Sequence, residues 1–250
     1  MDIINALILI VVGIFAGFAN TVAGGGSLLT LPVMIFMGLP PSVANASNRV
    51  AIFMQNIFAV RGFKSKGVST WPYNGYLSIT GVLGAIIGAK VSIEISGVLF
   101  SRILSIIMVV VILITVFNPS QKKEYGIERM DKKHQVIGVI LFFFVGLYGG
   151  FIQAGVGFIM IAILTGVNHM RLVRVNSAKV FVALVYTGAS LVVFIYEKQI
   201  NWAFGLILAV GNSMGGWIGS RWQVEKGDKW IRRVLLVMVL AMAVKLWFYG

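Results

Sequence analysis

Asn20-Thr21-Val22-Ala23-Gly24-Gly25-Gly26-Ser27-Leu28-Leu29-Thr30-Leu31 interrupts an apolar run near the start of the chain. Gln153-Ala154-Gly155-Val156-Gly157-Phe158 interrupts another beyond its middle. Each break leads into a short apolar segment of 12 residues, Ser27–Gly38 and Val156–Val167. As a helix, each would be about 18 Å long, too short for a hydrocarbon core of about 30 Å. A break inside hydrocarbon frees backbone N–H and C=O groups that lipid cannot satisfy, so such a segment must line protein or water.

Working outward, long apolar runs lie at about Ile3–Val22, Val43–Val60, Pro72–Ser92, Val98–Phe117, Val136–Ala154, Leu172–Tyr196, Trp202–Trp222 and Val234–Phe248. Of 250 residues, 58% are hydrophobic and 12% charged, about half the charged fraction of a soluble domain. The expected fold is an all-α integral membrane protein with eight long transmembrane helices and two short broken or re-entrant segments. The net charge of +13 sits mostly between apolar runs, where it reads as orientation signals and contacts to anionic membrane lipids. No soluble scaffold remains for a nucleic-acid partner. The absence of cysteine removes disulfide, thiolate and zinc–thiolate chemistry, and His134 and His169 fall in loops, so neither metal nor cofactor is expected. Only Asp2 separates Met1 from the first run, which reads as a membrane segment rather than a signal peptide.

The two halves match in order. Gly13-x3-Gly17-Phe18-x-Asn20 answers Gly146-x3-Gly150-Phe151-x-Gln153, and Ala46-Ser47-Asn48-Arg49-Val50 answers Asn176-Ser177-Ala178-Lys179-Val180. Gly84-x3-Gly88-Ala89-Lys90 answers Gly215-x3-Gly219-Ser220-Arg221, and Arg102 answers Arg233. The division is a first repeat over 1–118, a cytoplasmic linker over 119–135 and a second repeat over 136–250. Five segments per half, an odd number, invert the second repeat relative to the first. Loop charge agrees: the basic loops Arg61–Trp71, Asn118–Gln135, Asn168–Arg174 and Gln223–Arg233 fall on one side. Leu39–Ser42, with no charge, and Glu197–Asn201, with no net charge, fall on the other. The basic side is cytoplasmic, which places both termini outside.

The candidate site collects around the breaks. Gly24, Gly25, Gly26 and Ser27 open one short helix, and Gly155 and Gly157 open the other; helix N-termini present N–H donors to anions. The alternative for the glycines is close helix packing. Arg49 and Lys179 lie inside apolar segments, while all eight acids fall in loops or at segment ends. A buried cation without a protein anion points to an anionic substrate, the alternative being that both side chains snorkel to the interface. Ser47, Asn48, Asn176 and Ser177 flank the cations, and Asn20 and Gln153 precede the breaks. Their donors could serve an oxyanion, or simply bond between helices. Trp71, Trp202, Trp222, Trp230 and Trp247 suit interfacial belts.

With those motifs in place, the chain resembles the TauE/SafE family of sulfite exporters and anion permeases over nearly its whole length. The resemblance rests on Gly24–Pro32, Gly38-Leu39-Pro40-Pro41 and Ala44-x-Ala46-Ser47-Asn48. Gly149–Phe158 and Arg174-x-Asn176-Ser177-x-Lys179 carry it in the second half. It implies an inner-membrane permease for sulfite or small organosulfonates. One departure is Asn48-Arg49, where the family pattern commonly has Thr-Asn and an apolar residue. The expected function is anion transport by alternating access, with a possible homo-oligomer; an anion channel and a non-transporting membrane scaffold or assembly protein are the alternatives. Without a carboxylate inside the apolar segments, proton coupling would ride on the substrate's own protonation or on an exchanged ion.

Overall fold

In a computed structural model, residues 2–117 and 127–249 are described; residues 118–126, part of the expected linker 119–135, lie outside the described residues. Nine helices follow in order among the described residues: α1 (Ile3–Val22), α2 (Ser27–Phe36), α3 (Pro41–Ser65), α4 (Tyr73–Glu94), α5 (Gly97–Phe117), α6 (Lys132–Phe151), α7 (Val156–Gly166), α8 (Leu172–Tyr196) and α9 (Trp202–Tyr249). No strand occurs among them. Local signals explain several boundaries. The Asp2 side chain accepts from the Asn5 N–H and caps α1, and Pro41 occupies the first turn of α3, where its missing N–H costs nothing.

Four described helices are long and apolar enough to cross a bilayer: α1, α4, α6 and α8. The polar middle of α3 is accounted for by its surroundings. Asn45, Ser47, Asn48, Arg49, Gln55 and Asn56 are all buried, so the helix sheds its polarity into protein rather than lipid, which an average over all its faces hides.

One boundary differs in kind. The stretch Gln223–Arg233, expected as a cytoplasmic loop between two crossings, is helical, and α9, 48 residues long in all, runs straight through it. The segment holds no proline and a single glycine; polarity marks where water is tolerated, but helix propensity decides whether a chain turns. The expected segments Trp202–Trp222 and Val234–Phe248 are therefore one helix. The turn that would have returned the C terminus to the outer face is absent from this described stretch. Similarly, α6 begins at Lys132, inside the expected linker.

The packing interleaves the two halves of the sequence: α1 lies along α9, α4 along α6, and α3 and α8 face each other while packing on α9 and α4. Glycines set the closeness. Gly13 and Gly17 of α1 meet the backbone of α9 near Asn212, and Gly84 and Gly88 of α4 meet that of α6 near Gly146 and Leu147. Without a hydrophobic drive between lipid-bathed helices, such backbone approach supplies the van der Waals attraction.

A methyl group at Gly88 would overlap the Leu147 carbonyl oxygen, whereas one at Gly166 would meet nothing within 4 Å. Gly88→Ala is therefore expected to destabilise the purified protein by about 1–3 kcal/mol through overpacking. Gly166→Ala, by contrast, should leave the detergent melting temperature unchanged or slightly raised; paired thermal melts check this.

Candidate functional site

Both breaks close on glycines in the left-handed region: Gly24 has φ +89° and Gly155 has φ +72°. The breaks also touch each other. A Cβ on Gly24 would come within 2.5 Å of the Gly157 carbonyl carbon, and one on Gly157 would overlap the Gly24 backbone. So α2 and α7 start on either side of one glycine–glycine contact. A Cβ on Gly26 would fall within 2.6 Å of the Asn20 Cβ, which brings the end of α1 against the start of α2.

Each break also ends a helix, α1 at Val22 and α6 at Phe151, and the last carbonyls of a helix have no intrahelical donor. The buried cations go there. Arg49, on α3 and 0% exposed, donates to the carbonyls of Gly149 (2.9 Å) and Gly150 (2.6 Å), to Gln153 Oε1 (3.1 Å) and to Ser190 Oγ (3.1 Å). Its guanidinium also stacks 4.7 Å from the centre of the Phe194 ring. Lys179, on α8 and 3% exposed, donates through Nζ to the carbonyls of Asn20 (2.8 Å) and Thr21 (2.9 Å). Each cation thus crosses to the other half of the chain and sits on the negative end of a helix dipole. The partner that each buried cation requires is therefore not an acid. Backbone carbonyls supply it, and both side chains turn inward rather than snorkelling.

Two asparagines complete the caps, and one of them, Asn45, was not among the candidates read from sequence. Asn45 Nδ2 donates to the Phe151 carbonyl (3.0 Å) and to Ser92 Oγ (3.2 Å). Asn176 Nδ2 donates to the Val22 carbonyl (2.9 Å) and to Gln223 Oε1 (2.7 Å). A signal for Asn45 was available: it precedes Arg49 by four residues, so the two share a helix face, as Asn176 and Lys179 do at a spacing of three.

The remaining candidates divide. Asn20 Nδ2 donates to Gln55 Oε1 (3.2 Å), which also accepts from Asn212 Nδ2 (3.4 Å). Gln153 Nε2 donates to the Tyr186 hydroxyl (3.1 Å) and Thr187 Oγ1 (3.3 Å). Asn48 Oδ1 accepts from Thr30 Oγ1 on α2 (2.8 Å). Ser47 and Ser177 point elsewhere: Ser47 Oγ accepts from the Asn201 N–H (2.9 Å), and Ser177 Oγ donates to the Val68 carbonyl (3.4 Å). Each serine ties down a loop of the opposite half.

Several buried donors have no acceptor among the described residues, namely Asn48 Nδ2, Arg49 Nε, Asn56 Nδ2 and Gln223 Nε2. The backbone N–H groups of Ser27, Val156 and Gly157 open α2 and α7, where an α-helix offers no intrahelical acceptor. The acids pair elsewhere. Glu225 meets Lys66 (2.8 Å), whose hydrogen bond and charge hold that carboxyl below its usual range, and Glu128 meets Arg174. A separate groove of about 780 Å³ runs between α3 and α9, lined by Met54, Phe58, Arg61 and Trp217 among others. It contains none of the break residues.

The family described as sulfite exporter TauE/SafE matches residues 9–246. A Haemophilus influenzae protein named "Probable membrane transporter protein" is 26% identical over 247 residues, 97% of this chain and 96% of its own length. "Probable membrane transporter protein YfcA" of Escherichia coli K12 is 29% identical over 245 residues, 96% of this chain and 88% of its own. No solved structure gives a significant match.

Arg49→Met would strand the Gly149 and Gly150 carbonyls. It is expected to cost about 3 kcal/mol or more, since each buried group left unpaired costs about 1–3 kcal/mol. Ser47→Ala, which loses one acceptor at a loop, should cost about 1 kcal/mol. Denaturant titration in mild detergent would rank the two.

Proposed function

The chain belongs to the sulfite exporter TauE/SafE family, a family of multi-pass membrane transporters. On that premise we propose that it carries a small oxyanion, sulfite or an organosulfonate, across the inner membrane by alternating access. The observation that carries this reading is electrostatic. Each break exposes a negative helix end and a positive one. Arg49 neutralises the negative end of α6 and Lys179 occupies the last carbonyls of α1 as hydrogen-bond acceptors, while the positive starts of α2 and α7 meet beside the Gly24–Gly157 contact with no acid among the described residues to offset them. A site with surplus positive potential and unpaired N–H donors selects anions.

The substrate is taken to lie against Gly24, Gly25, Gly26 and Ser27 on one side and Gly155 and Gly157 on the other. Asn20, Asn48, Gln153 and Asn176 surround it, and Arg49 and Lys179 act through the helix ends they hold. Asn48 Nδ2 is the side-chain donor assigned to the oxyanion, because it is buried and unpartnered. Ser47 and Ser177 serve the loops they bind.

Two inverted repeats, over 1–118 with five helices and over 136–250 with four, α9 taking the place of the last two expected segments, give the motion its symmetry. The reciprocal pairing of α1 with α9 and of α6 with α4 supports that arrangement. One half would rock against the other about the glycine contact, opening the breaks to each side in turn. The N terminus is placed outside the cell, with the loops after α3, α7 and the linker inside.

Purified protein should be stabilised against heat by sulfite and methanesulfonate more than by acetate or phosphate. Reconstituted vesicles should show saturable methanesulfonate flux. Asn48→Ala should weaken apparent affinity about tenfold, the loss of one charge-assisted hydrogen bond of about 1.4 kcal/mol. Flux that rises without saturating would favour a channel, and no flux with any of these anions would favour a scaffold.

A further inference from the structure

The two buried cations do the same structural task with different chemistry. Arg49 directs its terminal nitrogens to four acceptors at 2.6–3.1 Å, in addition to a longer contact at 3.4 Å with the Phe151 carbonyl. A guanidinium stays protonated in proteins. Lys179 has two acceptors among the described residues, the Asn20 and Thr21 carbonyls. An ammonium carries three N–H bonds and a neutral amine two. Lys179 can therefore lose its third proton and still hold both carbonyls of α1, with no rearrangement of the break.

The surroundings favour such a change. The helices packed on α8 bring Arg49, Arg61 and Lys64 from α3, Tyr73, Tyr76, Lys90 and Glu94 from α4, and Lys132, Lys133, His134 and Tyr148 from α6. The described side chains of α9 add Arg221, Glu225 and Lys226, α8 itself adds Arg174, Tyr186 and Tyr196, and α1 and α7 contribute none. No acid among the described residues pairs with Lys179; Glu225 is engaged by Lys66. The amine is 3% exposed, in a layer of neutral amides formed by Asn20, Gln55, Asn176, Asn212 and Gln223. Asn20, whose carbonyl it holds, abuts Gly26 at the start of α2. An anion at that helix start would sit close enough to favour the ammonium over the amine.

Building on the transport reading above, we propose that Lys179 is the proton-carrying residue of the cycle. It is neutral when the site is empty and takes up one proton when the oxyanion binds. Proton and anion then cross together without net charge, and the amine returns its proton to water when the anion leaves. Arg49, at the matching position, is a fixed cap. No carboxylate is needed, and a permanently ionised sulfonate can be driven as well as sulfite.

The test uses full-length protein in vesicles clamped at zero membrane potential, with methanesulfonate as probe. Wild type should accumulate the anion inside up to about tenfold per pH unit by which the outside is the more acid, the limit for one proton per monovalent anion. Lys179→Arg keeps a cation on the Asn20 and Thr21 carbonyls but cannot release a proton. Whatever exchange it shows at equal pH, that flux should no longer respond to the pH gradient, so the ratio of accumulation with the gradient to accumulation without it should fall to about one. Equal accumulation by wild type and Lys179→Arg would overturn the proposal, as would exchange by wild type with no response to the gradient. In both cases transport itself still stands. No flux of any kind by wild type would instead overturn the transport reading. If Lys179→Arg does not fold, wild type in weakly buffered detergent decides: methanesulfonate should draw about one proton per chain from solution, and no uptake would overturn the assignment.

Discussion

A helix that stops inside a packed protein leaves last-turn carbonyls that its own backbone does not satisfy, and this constraint organises the centre of the molecule. α1 and α6 both stop so that the chain can break at glycines. Their last carbonyls, buried in protein, would cost about 1–3 kcal/mol each if left without a donor. Arg49 with Asn45, and Lys179 with Asn176, answer them from α3 and α8. A buried cation and an open helix end are each costly alone; placed together, each lowers the cost of the other. The break is thereby stable enough to exist, and the positive end of the next helix is left over for a ligand.

The breaks themselves were legible, because a Gly-rich interruption followed by a segment too short to cross can hardly belong to a plain spanning helix. So was the oddity of Arg49 and Lys179, since an intramembrane cation demands a partner. What sequence could not supply was the identity of that partner. Counting acids finds none, while backbone carbonyls are invisible in a string of letters and become available only where a helix ends. Asn45 escaped notice for a related reason: it stands four residues from Arg49, and it matters only because a helix turn aligns the two. Ser47 and Ser177 were read as lining residues from adjacency alone, yet adjacent residues on a helix face different neighbours.

The continuous α9 shows the opposite limit. Hydropathy locates where a chain can meet lipid, and Gln223–Arg233 is plainly too polar for that, but the backbone does not turn merely because its side chains are charged. Only a proline, a glycine cluster or a packed neighbour makes it do so. The same distinction explains α3, whose buried amides look unsuited to a membrane until the structure turns them inward.

The interleaved packing has a bearing on how the protein is made. α1 and α4 leave the ribosome with their glycine-lined faces bare, and the helices that cover them, α9 and α6, are synthesised later. Likewise, Arg49 enters the bilayer before the carbonyls of Gly149 and Gly150 exist. The first part of the nascent chain must therefore be inserted in a provisional state, its arginine shielded by lipid phosphate, water or the insertion machinery, and biogenesis is complete only when the last helix arrives.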